Sequence, residues 1–303
     1  MITLSLTNLS RKTFRMPISQ KQNKGKRLII VILSALFLFI SCSAERKLAK
    51  KYITNAGEIP IMLLSPDYLY KINLKSWQAE NTNTTKTDSI LFAKSTYLKL
   101  LSDSLFIARY MNAFSEELGK LHFKVYSPLE TTDFLSLDNS DMYIINMAQL
   151  QIEEDIIPVT NEAYFADTIH LYNEFGINSV NLCSWFEISG VNNQDSARNS
   201  SKKLLYSEES AKDYFDGAFK FNVLNQSVYF EYTYDSLQIN DIYDLAAYAG
   251  AKYGSYFFDY LMNQYISNNF SSGIKPDKYF HFDLATRKLK QVSKYRFIEM
   301  EQK

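Results

Sequence analysis

Nine glycines in 303 residues leave little material for a phosphate-cradling loop, and neither G-x-x-x-x-G-K nor G-x-G-x-x-G occurs. Two cysteines, Cys42 and Cys183, give no C-x-x-C pair for structural zinc or redox work. The three histidines, His122, His170 and His281, are far apart, and there is no H-E-x-x-H and no G-x-S-x-G. A metal site from His170 with Asp167 or Glu174 at helical spacing would lack a second histidine, so neither a metal nor a cofactor is expected. Two tryptophans are few for a stacking platform. Long apolar runs are missing too: the longest, Leu28 to Ile40, has thirteen apolar or small residues. At 1.5 Å per residue it would reach about 20 Å, short of a hydrocarbon layer of about 30 Å.

That run is nevertheless the most informative stretch of the chain. Arg11, Lys12, Arg15, Lys21, Lys24, Lys26 and Arg27 precede it without one acidic residue. A basic segment followed by a short apolar one is the arrangement of an export signal, with a cytoplasmic start and an exported remainder. The residues that close it, Phe39, Ile40, Ser41 and Cys42, resemble the lipobox of bacterial lipoprotein precursors. The resemblance implies cleavage before Cys42 by signal peptidase II and acylation of that cysteine, with residues 1–41 as signal peptide. It also implies three acyl chains, beyond the two signals needed for stable anchoring at about 0.8 kcal/mol per buried CH₂. Ser43 in place of aspartate resembles the sorting pattern of outer-membrane lipoproteins, which places the domain facing the periplasm. Met16, followed by PISQKQNKGKR, would itself open a signal peptide of ordinary length and is a second candidate start.

Removing residues 1–41 takes seven of the 33 Lys and Arg and none of the 33 Asp and Glu, leaving 26 against 33. An acidic exported part without a Lys/Arg stripe does not fit a nucleic-acid partner, whose phosphates demand clustered cations. With Cys42 acylated, Cys183 is the only thiol left, so the fold must hold without an internal disulfide. Cys183 sits in the apolar run SVNLCSWFEIS, where a small buried cysteine is the ordinary reading.

Residues 42–57 read as the lipidated cysteine and a short, helix-forming tether, with Arg46, Lys47, Lys50 and Lys51 facing either solvent or anionic head groups. Residues 58–303 read as a single α+β domain. Glu58 to Leu64 is a buried strand, Gln78 to Asp88 an exposed loop, and Ser89 to Leu121 a helical stretch. Its apolar face runs through Leu105, Ala108, Met111 or Asn112, Phe114 or Ser115, and Leu118, with Ser102 or Asp103 as cap and Gly119 as stop. His122 to Ser127 then closes a βαβ unit with parallel strands. Met142 to Glu153 and Ser179 to Ser189 are strands, with Gly190 to Ser201 an exposed loop. Asp216 to Val223 with Ser227 to Tyr234 is a hairpin, and Tyr279 to Val292 another. Asn240 to Phe270 keeps the helical period over seven turns, and Ala246, Ala247, Ala249, Gly250, Ala251 and Gly254 make its middle thin. The fold class is therefore α+β: a mixed, largely antiparallel sheet with an N-terminal βαβ unit and a long helix in the C-terminal half. This element order resembles the α+β domains of accessory envelope lipoproteins, in which a mixed sheet is backed by two helices.

Charged Glu153, Glu154 and Asp155 read as a strand end running into solvent. Tyr229, Phe230, Tyr232 and Tyr234, like Tyr253, Tyr256, Phe257 and Tyr260, read first as core. The expected activity is a non-catalytic binding or assembly role in the envelope, with the membrane and an envelope protein as partners. A glycan- or ligand-binding lipoprotein and a hydrolase with spatially assembled carboxylates are the alternatives. Cys42 is the one site residue named.

Overall fold

The computed structural model describes residues 44–56, 59–75, 94–137, 141–165, 169–191, 202–270, 276, 278–292 and 296–300. Cys42, the signal segment, the expected loop Gln78 to Asp88 and nearly all of the expected loop Gly190 to Ser201 lie outside them. A mixed sheet carries the fold. Its order is β11 (Ile298–Met300), β6 (Lys203–Lys212), β5 (Ile169–Val191), β4 (Met142–Phe165), β1 (Pro60–Leu64) and β3 (Lys124–Tyr126), with β2 (Leu69–Asn73) also paired to β4. Strand β1 runs parallel to both β3 and β4, and β2 runs parallel to β4. The remaining pairs, β4 with β5, β5 with β6 and β6 with β11, are antiparallel. The expected α+β class is what the chain adopts, with the parallel N-terminal unit and the antiparallel remainder in one sheet.

Helix α1 covers residues 44–55. From Leu48 onward the chain forms one compact unit, and Ala49, Tyr52 and Ala56 are buried in its core while Lys50 and Lys51 stay exposed. The Tyr52 ring meets Phe258 and Tyr265, each at 5.5 Å. The tether segment is thus docked well before the first strand.

Helix α2 (Asp103–Lys120) starts as expected at Ser102, whose side chain accepts from the Leu105 N–H. Its buried face is Phe106, Tyr110, Phe114 and Leu118: Phe114 and Leu118 lie on the expected face, while in the first half Phe106 and Tyr110 are buried in place of Leu105, which is exposed, and Ala108. The four residues recur every fourth position, and the three aromatics among them present more apolar area than Leu105, Ala108 and Met111. Gly119 lies inside the helix; the stop is His122, at φ 68°, after which the Phe123 N–H returns to the Leu118 carbonyl. Short helix α3 (Thr131–Leu135) follows, with Phe134 buried against Tyr126.

Helix α4 (Ile239–Asn269) has 31 residues, about 46 Å at 1.5 Å each. Gln238 and Asp241 close a capping box at its start. It crosses α2 at its thin middle: a Cβ on Gly250 would stand 2.2 Å from the Tyr110 carbonyl oxygen. Both helices cover one face of the sheet, and Phe114, Phe186, Phe257 and Phe297 meet there with centroids 4.7 to 5.9 Å apart. Each such ring removed from water contributes roughly 1.5 to 3 kcal/mol. The other face is polar: Gln149 donates to Gln151, Gln151 donates to Glu153, and Trp185 leans on Tyr206 at 5.0 Å. An antiparallel sheet tolerates one solvated face in this way. Cys183 belongs to that face, buried beneath the Tyr206 hydroxyl.

Strands β4 and β5 overrun both expected limits. They stay paired to Phe165↔Ile169, whereas β2 leaves β4 at Glu154 and β6 leaves β5 at Ser179. A two-stranded arm therefore continues for about 33 Å at 3.3 Å per residue. Pro158 sits opposite Gly176 in this arm, tolerated because the ribbon has open edges on both sides. A second hairpin, β7 (Tyr214–Asn222) and β8 (Ser227–Asp235), covers one face of it. There Phe175 meets Phe215 at 4.7 Å, Phe230 at 5.4 Å and Tyr232 at 5.8 Å.

Two buried carboxylates fix the root of the arm. Glu154, expected in solvent, is 0% exposed: it accepts the N–H groups of Thr96, Tyr97 and Leu98 and pairs with Lys75 at 2.7 Å. Burial alone would raise its pKa, but Lys75 and the three amides outweigh it and hold the carboxyl below its ordinary value. Asp213 does the same work on the other side, accepting from the Asn178 and Leu237 N–H groups and from the Tyr234 hydroxyl.

Candidate functional site

The last hairpin, β9 (Tyr279–Asp283) with β10 (Lys288–Val292), lies against the second half of α4, and the join is made by side chains. Asn263 imitates a neighbouring strand: its amide donates to the Phe280 carbonyl at 2.7 Å and its oxygen accepts the Phe280 N–H at 2.8 Å. One turn earlier, Asp259 accepts the Phe282 N–H at 2.9 Å through Oδ1. Residues four apart on a helix thus serve residues two apart on a strand edge, which is where the spacing of N–H groups places them.

The second carboxylate oxygen of Asp259 does something further. It lies 2.7 Å from Nδ1 of His281 and 4.0 Å from Nε of Arg296. Asp259 is 0% exposed. Burial pushes its pKa up, and His281, the Phe282 amide and Arg296 pull only part of that back, leaving the carboxyl above its ordinary value. With Nδ1 donating to the carboxylate, Nε2 of His281 is left as the acceptor or base. A buried acid holding an imidazole is also the inner pair of a hydrolytic triad. Among the described residues no hydroxyl or thiol is hydrogen-bonded to that imidazole.

Arg296 links this pair to a cleft of about 480 Å³. Tyr260, Gln264 and Ser267 of α4 form one wall, with Lys203 of β6, Lys278 and Phe297 around the rest. The cleft lining carries three cations, Lys203, Lys278 and Arg296, against one acid, Glu299, and Glu299 is taken by Lys203 at 2.8 Å. The Arg296 guanidinium lies over the Tyr256 ring, 5.1 Å from its centre. Its Nε is buried without a hydrogen-bond acceptor. The Tyr260 hydroxyl accepts from Gln264 at 2.7 Å, and burial pushes its pKa up, so it keeps its proton. The charged groups of the lining are therefore mainly donors, beside two neutral groups that can also accept, the Gln264 amide oxygen and the Ser267 hydroxyl.

None of these residues stood out as a site in the sequence except as features without a partner. Asp259 is a single acid inside Tyr256-Phe257-Phe258 and Tyr260-Leu261-Met262. A lone charge in an apolar helical run is the one signal that points to it. The tyrosines divide. Tyr253, Phe257 and Tyr260 are buried, as expected, but Tyr229, Tyr232 and Tyr234 are exposed: Tyr229 faces outward, while Tyr232 and Tyr234 share the face of Phe230 at the rim of the arm, Tyr232 at 5.8 Å from Phe175 and Tyr234 donating to Asp213. Their strand belongs to a two-stranded hairpin, and among the described residues no second layer lies outside it. His170 stacks on Tyr164 at 4.7 Å and faces Glu162 at 3.5 Å. The segment is a strand, so His170 and Glu174 stand about 13 Å apart and not on adjacent helical turns. Glu174 accepts from Tyr172 instead. Among the described residues no group of three or more His, Cys, Asp or Glu could hold a metal ion. No helix among them is long and apolar enough to cross a membrane. No protein-family model matches the chain, and no curated protein matches it.

Proposed function

We propose that the protein is a lipid-anchored component of the cell envelope, held through Cys42, that works by assembling with a protein partner through its aromatic arm. The carrying observation is the arm itself. A ribbon of about 33 Å leaves the sheet and exposes Tyr164, Tyr172, Tyr229, Tyr232 and Tyr234. Tyrosines of this kind supply large contact areas at low entropic cost, and they are enriched in protein interfaces. The docked helix α1 supports the anchoring half of the reading. Only six residues lie between Cys42 and Ala49, the first apolar core residue described, so the chain leaves a short tether for an anchor at Cys42. Exposed Lys50 and Lys51 then lie within reach of anionic head groups.

Two measurements test the proposal. A photo-crosslinking amino acid at position 172 or 232 should capture a protein neighbour in intact cells, while the same probe at Tyr248, exposed on α4, should not. Equal capture at all three positions, or none, would refute the assembly role. Labelled palmitate should enter the wild-type protein and not Cys42→Ala. A second reading, a ligand-binding lipoprotein, is favoured by the cleft between α4 and β6.

A further inference from the structure

We infer that the cleft beside Arg296 is a binding site for a small organic anion, one carboxylate or phosphate group on a planar apolar body. The inference is independent of the envelope role and of the arm.

Charge gives the first reason. Residues 42–303 carry 26 Lys and Arg against 33 Asp and Glu, yet this cleft lining holds three cations and one acid. The acid is neutralised by Lys203, which leaves Lys278 and Arg296. Among the described residues Lys278 has no ion-pair partner, and Arg296 has only Asp259 at 4.0 Å, a carboxylate already shared with His281 and the Phe282 amide. A negative ligand would complete a balance that the protein leaves positive.

Hydrogen-bonding capacity gives the second. The Tyr260 hydroxyl accepts from Gln264, so its own proton is available to the cleft. Lys278 and Arg296 can only donate. Asn263, by contrast, is engaged with β9 and offers nothing. Two cations that can only donate select a ligand with anionic acceptors, and carboxylate or phosphate oxygens are the strongest available partners for a guanidinium.

Shape and surface give the third. Tyr279, Phe297, Ile298 and Pro276 complete the lining with apolar area, and about 480 Å³ suits a ligand larger than a bare ion. A ring can lie against Tyr260 and Phe297 while its anionic group meets Arg296 and Lys278.

Isothermal titration of the full chain with benzoate, phenyl phosphate, inorganic phosphate and benzyl alcohol tests this. Benzoate or phenyl phosphate should bind, inorganic phosphate more weakly, and benzyl alcohol not at all. Arg296→Gln and Lys278→Gln should each weaken the anion about tenfold to a hundredfold. Tyr260→Phe should weaken it several-fold. Since Arg296 also faces buried Asp259, Lys278→Gln and Tyr260→Phe keep the test open if Arg296→Gln unfolds. Benzyl alcohol binding as well as benzoate, unchanged anion affinity in Lys278→Gln and Tyr260→Phe, or no binding by either aromatic anion would overturn the inference. Inorganic phosphate binding as tightly as phenyl phosphate would remove the apolar body from it.

Discussion

The sheet under its two helices and the arm beyond Glu154 are built from the same residue types and end in opposite conditions. In the first, Phe186 lies between Phe114, Tyr253, Phe257 and Phe297 and is 0% exposed. In the second, Phe175, Phe215 and Phe230 contact one another yet stay half-buried, and Tyr232 is 58% exposed. Width separates the two. The core sheet has at least four strands side by side beneath α2 and α4, while each arm layer has only two. Strands lie about 4.8 Å apart, so a two-stranded layer is only about 10 Å wide and leaves the flanks of its rings open to solvent. Aromatic content does not make a core; lateral extent does, and an isolated hairpin is marginal at best.

The largest effect that would sharpen this contrast comes from Phe186→Ala. Removing a fully enclosed ring should destabilise the whole domain by about 3 to 5 kcal/mol, read as a shift in the urea midpoint. Gly250→Ala should act on the same layer by a different route, because its Cβ must push α4 away from the Tyr110 carbonyl. A Gly250→Ala protein as stable as wild type would show that the helix crossing is looser than the structure has it.

Glu154 joins the two regions, and its loss should come next. Glu154→Gln removes the charge that answers Lys75 and leaves three backbone donors with one poor acceptor, a loss of about 3 kcal/mol. The pH dependence follows from the direction of the shift. A carboxyl held below its ordinary value stabilises the fold fully above the unfolded pKa of about 4.3, and that contribution disappears as pH falls through the folded value. Stability measured from neutral pH downward should therefore fall less steeply in Glu154→Gln than in wild type. Parallel curves would assign the acid sensitivity elsewhere.

Smaller still is Phe230→Ala. The ring is half-buried and meets only Phe175, Phe215, Phe219 and Tyr232 among the ring contacts. About 1 to 2 kcal/mol should be lost, and lost locally. Hydrogen exchange should speed up for amides of residues 156–165, 169–178 and 214–235 while β1 and the neighbouring part of β4 keep their protection. A uniform rise across the domain would mean that arm and core unfold together.

Much of this division was legible in the residues and some of it was not. The parallel unit of β1, α2 and β3, the hairpins and the 31-residue α4 follow from strong periods and clear caps. The arm was hidden because Glu153, Glu154, Asp155 and then Pro158 look like a strand end, and only the pairing of β4 with β5 shows that they are not. Glu154 looked solvated because its three amide partners come from Thr96 to Leu98, more than 50 residues earlier in the chain. The same distance problem hides the candidate site: Asp259 and His281 are 22 residues apart, and no local spacing predicts their contact. Periodicity reports which face of an element is buried; it does not report which elements share a buried polar group.

The smallest expected effect on stability is the sharpest test of what the arm is for. Leu224, in the turn between β7 and β8, is 96% exposed, and Val223 beside it is 77% exposed. Neither can contribute much to folding from there, so Leu224→Ser should leave the urea midpoint within about 0.5 kcal/mol of wild type. A solvent-facing turn gains nothing from two aliphatic neighbours, and Asn222 and Asn225 already supply the turn chemistry by accepting from Leu224 and Ser227. If the arm meets a partner, its tip is where an apolar contact would add affinity without touching the fold. Crosslinking from position 232 should then weaken in Leu224→Ser while the isolated protein melts unchanged. Unaltered capture would move the contact back along the arm toward its root, and a large loss of stability would place Leu224 inside the fold after all.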